Sequence, residues 1–253
     1  MAKRIGKQTS INMYSSGIIG RMRKILIEKG PVFLIRKSFV FAWRFIYGIL
    51  FLRFRSRRTF TFKNKTYSYF YHRYNFTWDN ERSVEIPIVM KQLAMNKDKN
   101  VLEMGNVLSH YFSPEWDILD KFDTGPGVIS KDIIDFIPEN KYDLVVSIST
   151  LEHVGFDDDV KNPEKILETM KKLKQNCLKP DGRMIFTMPL GYNQYMDEKL
   201  FDSSLGFDTM SFMKRISKNE WCELPKDELG VVSYADEYIE ANAIVVAEYN
   251  SSK

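Results

Sequence analysis

The rhythm of apolar and polar residues changes twice along the chain. Residues 31–54, PVFLIRKSFVFAWRFIYGILFLRF, are apolar and aromatic but interrupted by Arg36, Lys37, Arg44 and Arg53. A membrane-crossing helix needs roughly 20 predominantly apolar residues, and an Arg near its middle costs about 2.5–3.5 kcal/mol. The uninterrupted run here, residues 45–52, falls short of that. Basic residues at 29, 36/37 and 44 recur every seven or eight positions, which returns them to one side of a helix, with Phe33, Phe41, Trp43, Phe45 and Phe51 filling much of the rest. The pattern predicts a helix that lies in an interface. Residues 59–71, TFTFKNKTYSYFY, then alternate apolar and polar on both sides of Lys63-Asn64-Lys65, which predicts a β-hairpin. A helix follows from Asn80, with Glu81, Arg82 and Glu85 in its early turns and Pro87 marking a kink or a later start.

From Asn100 onward, short apolar runs ending in acidic or small residues alternate with helical stretches, the pattern of βαβ units and a parallel sheet. Strands are predicted at residues 100–105, 116–119, near 128–129, at 142–148 and at 183–188. Between the last two, Ile166, Leu167, Met170 and Leu173 form one helical stripe. The expected organisation is a basic N-terminal segment (1–58), a hairpin and helix leading into the core (59–98) and an α/β domain (99–253).

Apolar residues make up 44% of the 253 and charged residues 28%, a balance that excludes wholesale disorder. The net charge of +4 conceals an asymmetry. Residues 1–58 hold 14 Lys/Arg against the single acid Glu28, a net of +13; the other 23 basic and 32 acidic residues give −9. Such a segment suits an anionic membrane surface, where each basic residue contributes about 1 kcal/mol. The plainer alternative is a helix packed on the domain with its charges solvated. Nucleic-acid binding is a third reading, disfavoured by the many large aliphatics. Cys177 and Cys222 have no partners at metal-ligand spacing, and no small-residue cleavage site follows the first apolar stretch, so a reducing, cytoplasmic setting at the inner face of a membrane is expected.

Three blocks carry a resemblance: VLEMG at 101–105, YDLVVSISTLEHV at 142–154 and LKPDGRMIFTMP at 178–189. With Ile118-Leu119-Asp120 and Asp132-Ile-Ile-Asp135 between them, they resemble, in order and spacing, class I S-adenosylmethionine-dependent methyltransferases over residues 100–190. Residues 243–249 then resemble that fold's seventh strand, antiparallel beside the fifth. The resemblance implies a doubly wound, seven-stranded, mostly parallel sheet with the N-terminal helix and hairpin as an appendage, and S-adenosyl-L-methionine as cofactor. It places Glu103 and Gly105 at the cofactor's amino-acid end, Asp120 at the ribose hydroxyls, Asp132 (or Asp135) at the adenine amino group, and Ser147 and Ser149 at the methionine end. The family's turn is Gly-x-Gly-x-Gly, whereas this chain reads Gly105-Asn-Val-Leu-Ser-His110. Asn106, which tolerates a left-handed backbone better than most residues, is the expected substitute.

Methyl transfer is an in-line displacement that needs alignment, and a base when the acceptor is a hydroxyl. Glu152 and His153, just past the fourth predicted strand, are the candidates, with a packing or helix-start role as the alternative for His153. Asp157-Asp-Asp159 reads as a solvated run, and no metal site is expected. Tyr192 and Asn193 are candidate acceptor contacts, by stacking on a sugar and hydrogen-bonding its hydroxyls, or else simply part of a turn. Arg82 is a candidate partner for the cofactor carboxylate. The expected activity is O-methylation of a sugar in a lipid-linked or cell-envelope glycan. The alternatives are a non-catalytic scaffold of the same fold and an RNA methyltransferase.

Overall fold

The computed structural model describes residues 18–55 and 57–252, and the chain divides into two compact units, Met1–Ile49 and Leu50–Lys253. The first is dominated by helix α1 (Ile18–Arg55), which is broken at Gly30 (φ 80°, ψ 170°) just before Pro31. The break takes Lys29 out of phase with Arg36, Lys37 and Arg44, so the basic face predicted across all four does not run through. Apolar side chains are exposed all round the helix: Trp43, Phe33, Phe41 and Ile49 follow one another at steps of about 80°. Among the described residues no helix is long and apolar enough to cross a membrane.

After the end of α1, the second unit continues with the predicted hairpin, β1 (Thr59–Phe62) and β2 (Lys65–Ser68). Its loop is the two residues Lys63 and Asn64, both at positive φ, the backbone of a tight hairpin turn whose twist matches its strands. Helix α2 (Arg82–Met95) continues through Pro87. Proline has no N–H for the carbonyl of Ser83 four residues back, and the N–H of Phe70 fills that role at 2.9 Å. The alternative of a later start is therefore not used.

The main sheet has eight strands, one more than expected: β3 (Val101–Met104), β4 (Asp117–Asp120), β5 (Val128–Ser130), β6 (Tyr142–Ile148), β7 (Leu178–Pro189), β8 (Thr209–Ser217), β9 (Glu220–Leu224) and β10 (Ala243–Asn250). Their order is β5-β4-β3-β6-β7-β10-β8-β9. The first five are parallel, and β10 lies antiparallel between β7 and β8. The extra strand, β9, extends the edge as a hairpin with β8. Only the β6–β7 crossover carries a full helix, α3 (Lys165–Lys172); the three earlier crossovers use loops and short 3₁₀ turns where helices were expected.

Both faces of the sheet are buried, as the near-continuous apolar strands require. Leu102, Met104, Val145 and Phe186 face α3 and α4 (Gln194–Phe201). Val101, Leu144, Val146, Ile148 and Ile185 face α2 and the hairpin. Because the chain passes from β3 outward to β4 but β6 lies on the other side of β3, the crevice between the carboxyl ends of β3 and β6 is the topological switch point, where open α/β sheets bind ligands. An open depression of about 480 Å³ at the opposite, amino ends of β3, β4 and β6 is lined by Asn100, Glu115, Asp117 and Tyr142, away from this crevice.

Candidate active site

Gly105 ends β3 with φ 90° and donates its N–H to Leu119 O at 2.8 Å. A side chain there would meet Thr150, 2.7 Å from its Cγ2, so the glycine is required by the close approach of the segment following β6. Asn106 is not among the residues at positive φ, so Gly105 alone takes the left-handed backbone and the expected substitution is not used. The bulky turn is held by carboxylates instead. Glu103, fully buried, accepts from the N–H groups of Val107 (2.9 Å) and Leu108 (2.8 Å) with one oxygen and from Trp116 Nε1 (2.9 Å) with the other. Burial nonetheless raises its pKa against these bonds. Asp120, at the end of β4, accepts from Asn106 N–H (2.9 Å) and from the N–H groups of Phe122 and Asp123 (both 2.8 Å).

Asp132 lies farther out. It caps a 3₁₀ turn through Ile134 N–H (3.2 Å) and pairs with Lys165 (2.5 Å) and Lys121 (3.2 Å), and both lysines also hold Asp158 at 2.7 Å. Burial pushes the Asp132 carboxyl up, but the lysines and the turn N–H outweigh it and hold it below the usual range. Its expected free edge for a nucleobase is thus committed to lysines. Asp158 likewise belongs to this network, whereas Asp157, which bonds His153 and Tyr192, and Asp159 are exposed, as expected of a solvated run. Ser147 is buried in the sheet with Oγ donating to Met104 O (3.0 Å), which ties β6 to β3.

A buried acidic group fills the inner wall. The residues after β6 run through Ser149, at φ 38°, whose Oγ donates to Glu85 Oε1 (2.7 Å), to Glu152. Glu85 also takes Arg82 Nη1 at 2.6 Å on the first turn of α2. Glu81, one turn before Glu85, is pushed up to about 7, chiefly by burial and then by the Glu85 carboxylate. Glu152 is 1% exposed, and neither of its carboxylate oxygens has a hydrogen-bond partner. Its pKa is raised well above the carboxylate range by burial, opposed by its own backbone N–H and by Arg82, with the Glu85 carboxylate adding to the rise.

His153 sits at the outer end of the group, 43% exposed, with Nε2 3.6 Å from Glu152 Oε1 and Nδ1 2.5 Å from Asp157 Oδ2. Tyr192 donates to the same Asp157 oxygen (2.7 Å) and packs edge-on against His153, Phe156 and Tyr234. Asn193, expected at the acceptor, is buried: its Oδ1 caps α4 through Met196 N–H (3.1 Å) and its Nδ2 donates to Glu152 O (2.9 Å). It positions Glu152 and offers no side-chain atom outward.

The structure therefore brings Glu103, Gly105, Asn106, Asp120, Glu152, His153 and Tyr192 to one end of the sheet, and gives Asp132, Ser147 and Asn193 internal partners. Sequence reasoning missed Glu85 and Glu81 as members of the site. Their signal was present: two acids four residues apart share a helix face, and both flank Arg82 in a helix whose following residues are apolar. Among the described residues no cluster of side chains suits a metal ion.

Neither a family model nor a curated protein sequence matches the chain. Solved structures do match. The N-methyltransferase NodS from Bradyrhizobium japonicum, in complex with S-adenosylhomocysteine, is 10% identical, with 65% of this chain and 85% of that one covered and a TM-score of 0.40. The 1,6-didemethyltoxoflavin N1-methyltransferase of Burkholderia thailandensis, with substrate and S-adenosylhomocysteine bound, is 9% identical over 77% and 98% of the two chains, with a TM-score of 0.39. A S-adenosylmethionine-dependent methyltransferase from Clostridium acetobutylicum is 14% identical over 64% and 88%, with a TM-score of 0.33. Likeness at this level carries no function across.

Proposed function

We propose that this chain is an S-adenosylmethionine-dependent methyltransferase. The observation that supports it is the convergence at the switch point, where β3, β4 and β6 each bring a carboxylate, Glu103, Asp120 and Glu152, around the Gly105 turn. A cofactor with a cationic centre fits a crevice in which Glu152 is buried without a hydrogen-bond partner, because a nearby cation would stabilise the ionised form that burial disfavours. The Gly105 and Asn106 backbone and Asp120 would hold the cofactor, and Glu103 shapes the turn that they form. Asp132 is withdrawn from that set by its lysines.

Bound there, the cofactor supplies an electrophilic methyl group, and the chain supplies alignment and proton removal. His153, oriented by Asp157, takes the proton of an acceptor hydroxyl and passes it toward solvent, with Glu152 3.6 Å from its Nε2. Tyr192 offers an aromatic rim on which a sugar ring can rest. The acceptor is a sugar of a lipid-linked or cell-envelope glycan, and the net charge of +13 in residues 1–58 with the exposed apolar side chains of α1 holds the protein peripherally on the anionic inner face of the membrane.

Calorimetric titration with S-adenosylmethionine tests the first part. Binding that Asp120→Ala weakens at least tenfold supports it, whereas no binding at millimolar ligand favours a non-catalytic scaffold. Co-sedimentation of the full chain with phosphatidylglycerol vesicles tests the second, with the double substitution Phe39→Glu/Trp43→Glu expected to abolish it. Equal sedimentation of both proteins would refute the membrane reading.

A further inference from the structure

Glu152 is the one acid of the crevice that the protein leaves without a donor. Glu103 has three partners, Asp120 three, and Glu85 both Arg82 and Ser149. The nearest group able to carry positive charge, His153 Nε2, stops at 3.6 Å, beyond hydrogen-bond reach. The fold also fixes where this carboxylate stands. It lies two residues past Thr150, whose side chain covers Gly105 on the β3 side, and its own carbonyl is held by Asn193 from the loop after β7. Glu152 is thus strung between the turn that would hold the methyl donor and the loop that borders the acceptor.

We infer that Glu152 is a charge-selecting residue that binds the sulfonium of the methyl donor and so makes the site prefer the donor to its thioether product. The inference rests on the reading of the chain as a methyltransferase. When the methyl group moves, the carbon–sulfur bond breaks, its electron pair stays on sulfur and the acceptor forms the new bond to carbon. Sulfur thereby becomes neutral. A sulfonium has no N–H to offer and needs only a nearby negative charge, which suits a carboxylate to which no other residue donates a hydrogen bond. After transfer the sulfur is neutral, so the attraction that stabilised the ionised carboxylate is gone and the product is held less tightly than the donor.

The test is calorimetry of the full-length protein and its Glu152→Gln variant with S-adenosylmethionine and S-adenosylhomocysteine, the variant's fold being checked by circular dichroism. The wild type should bind the sulfonium form at least tenfold more tightly than the thioether, and Glu152→Gln should bring the two affinities within about twofold by weakening the sulfonium form. If both ligands bind but Glu152→Gln weakens them equally, the carboxylate holds the ammonium common to both and the inference is wrong. A preference that survives the substitution overturns it too. Failure of the wild type to bind either ligand would instead remove the methyltransferase reading itself. Should Glu152→Gln not fold, Glu152→Asp, which keeps the charge but draws it back by a methylene, must narrow the preference; an unchanged ratio overturns the inference.

Discussion

The Thr150 side chain lies directly over Gly105, so the ends of β6 and β3 meet where a side chain on residue 105 would have to be. Gly105→Ala combines that clash with a residue forced to φ 90°. Left-handed backbone alone costs about 1–2 kcal/mol, and overpacking adds about 1–3 kcal/mol. Urea denaturation should show both losses, and the double variant Gly105→Ala/Thr150→Gly, which removes the Thr150 Cβ as well, should recover the packing part but not the backbone part. Full additivity of the two single substitutions would contradict the contact.

The buried acids make stability depend on pH in an unusual direction. Glu81 rises from the ordinary 4.5 to about 7 on folding, and Glu152 rises well above its ordinary range. Between the unfolded and folded values, the folded chain keeps protons that the unfolded chain has released, so stability is greatest below about pH 4.5 for these groups and falls as pH rises through the window. Glu81→Gln, which can still accept from Ala241 N–H, should therefore flatten the fall in urea midpoint between pH 5 and 8. An unchanged slope would show that Glu81 is not buried as described.

Asp132 and Asp158 act with the opposite sign. Lys165 and Lys121 together hold both below the ordinary range against burial, so their contribution is present above about pH 4 and lost as pH falls through the depressed folded values. Lys165→Met removes a cation that is 13% exposed and leaves Lys121 to serve two carboxylates. A loss of about 1.5–3 kcal/mol at pH 7, as for hydrogen bonds to charged groups, should shrink at pH 3. The same loss at both pH values would mean that packing of the lysine stem is responsible.

Glu103→Gln tests what replaces the glycine-rich turn. A glutamine oxygen can accept from Val107 and Leu108, but its amide nitrogen then faces the Trp116 N–H, donor against donor. The cost should be about 1–3 kcal/mol, with a changed near-ultraviolet circular dichroism signal from Trp116. Glu103→Ala should cost more, since both loop N–H groups lose their acceptor. If the two variants are equally stable, the carboxylate does not hold the turn.

Much of this protein was legible in its sequence because the signals are local. Alternation placed the hairpin around Lys63 and Asn64, apolar runs placed β3 through β7, and a single glycine marked the turn after β3. Each depends on the period of an element or the freedom of one backbone position, which neighbouring residues encode. Strands β8 and β9 escaped notice because Lys214, Arg215, Glu220 and Glu223 interrupt their apolar pattern. Arg215 is buried by bonding three carbonyls, at Asp79, Lys218 and Ile239, which no local rule anticipates. The fate of the site's charges was likewise decided only by folding. Asp132 meets a lysine 33 residues later, Asn193 turns inward to Glu152, and Glu85 reaches Ser149 across 64 residues, whereas Glu152 is left without a donor. Whether a carboxylate is a strut or a binding group depends on which donors the chain folds against it, and those donors are distant in sequence.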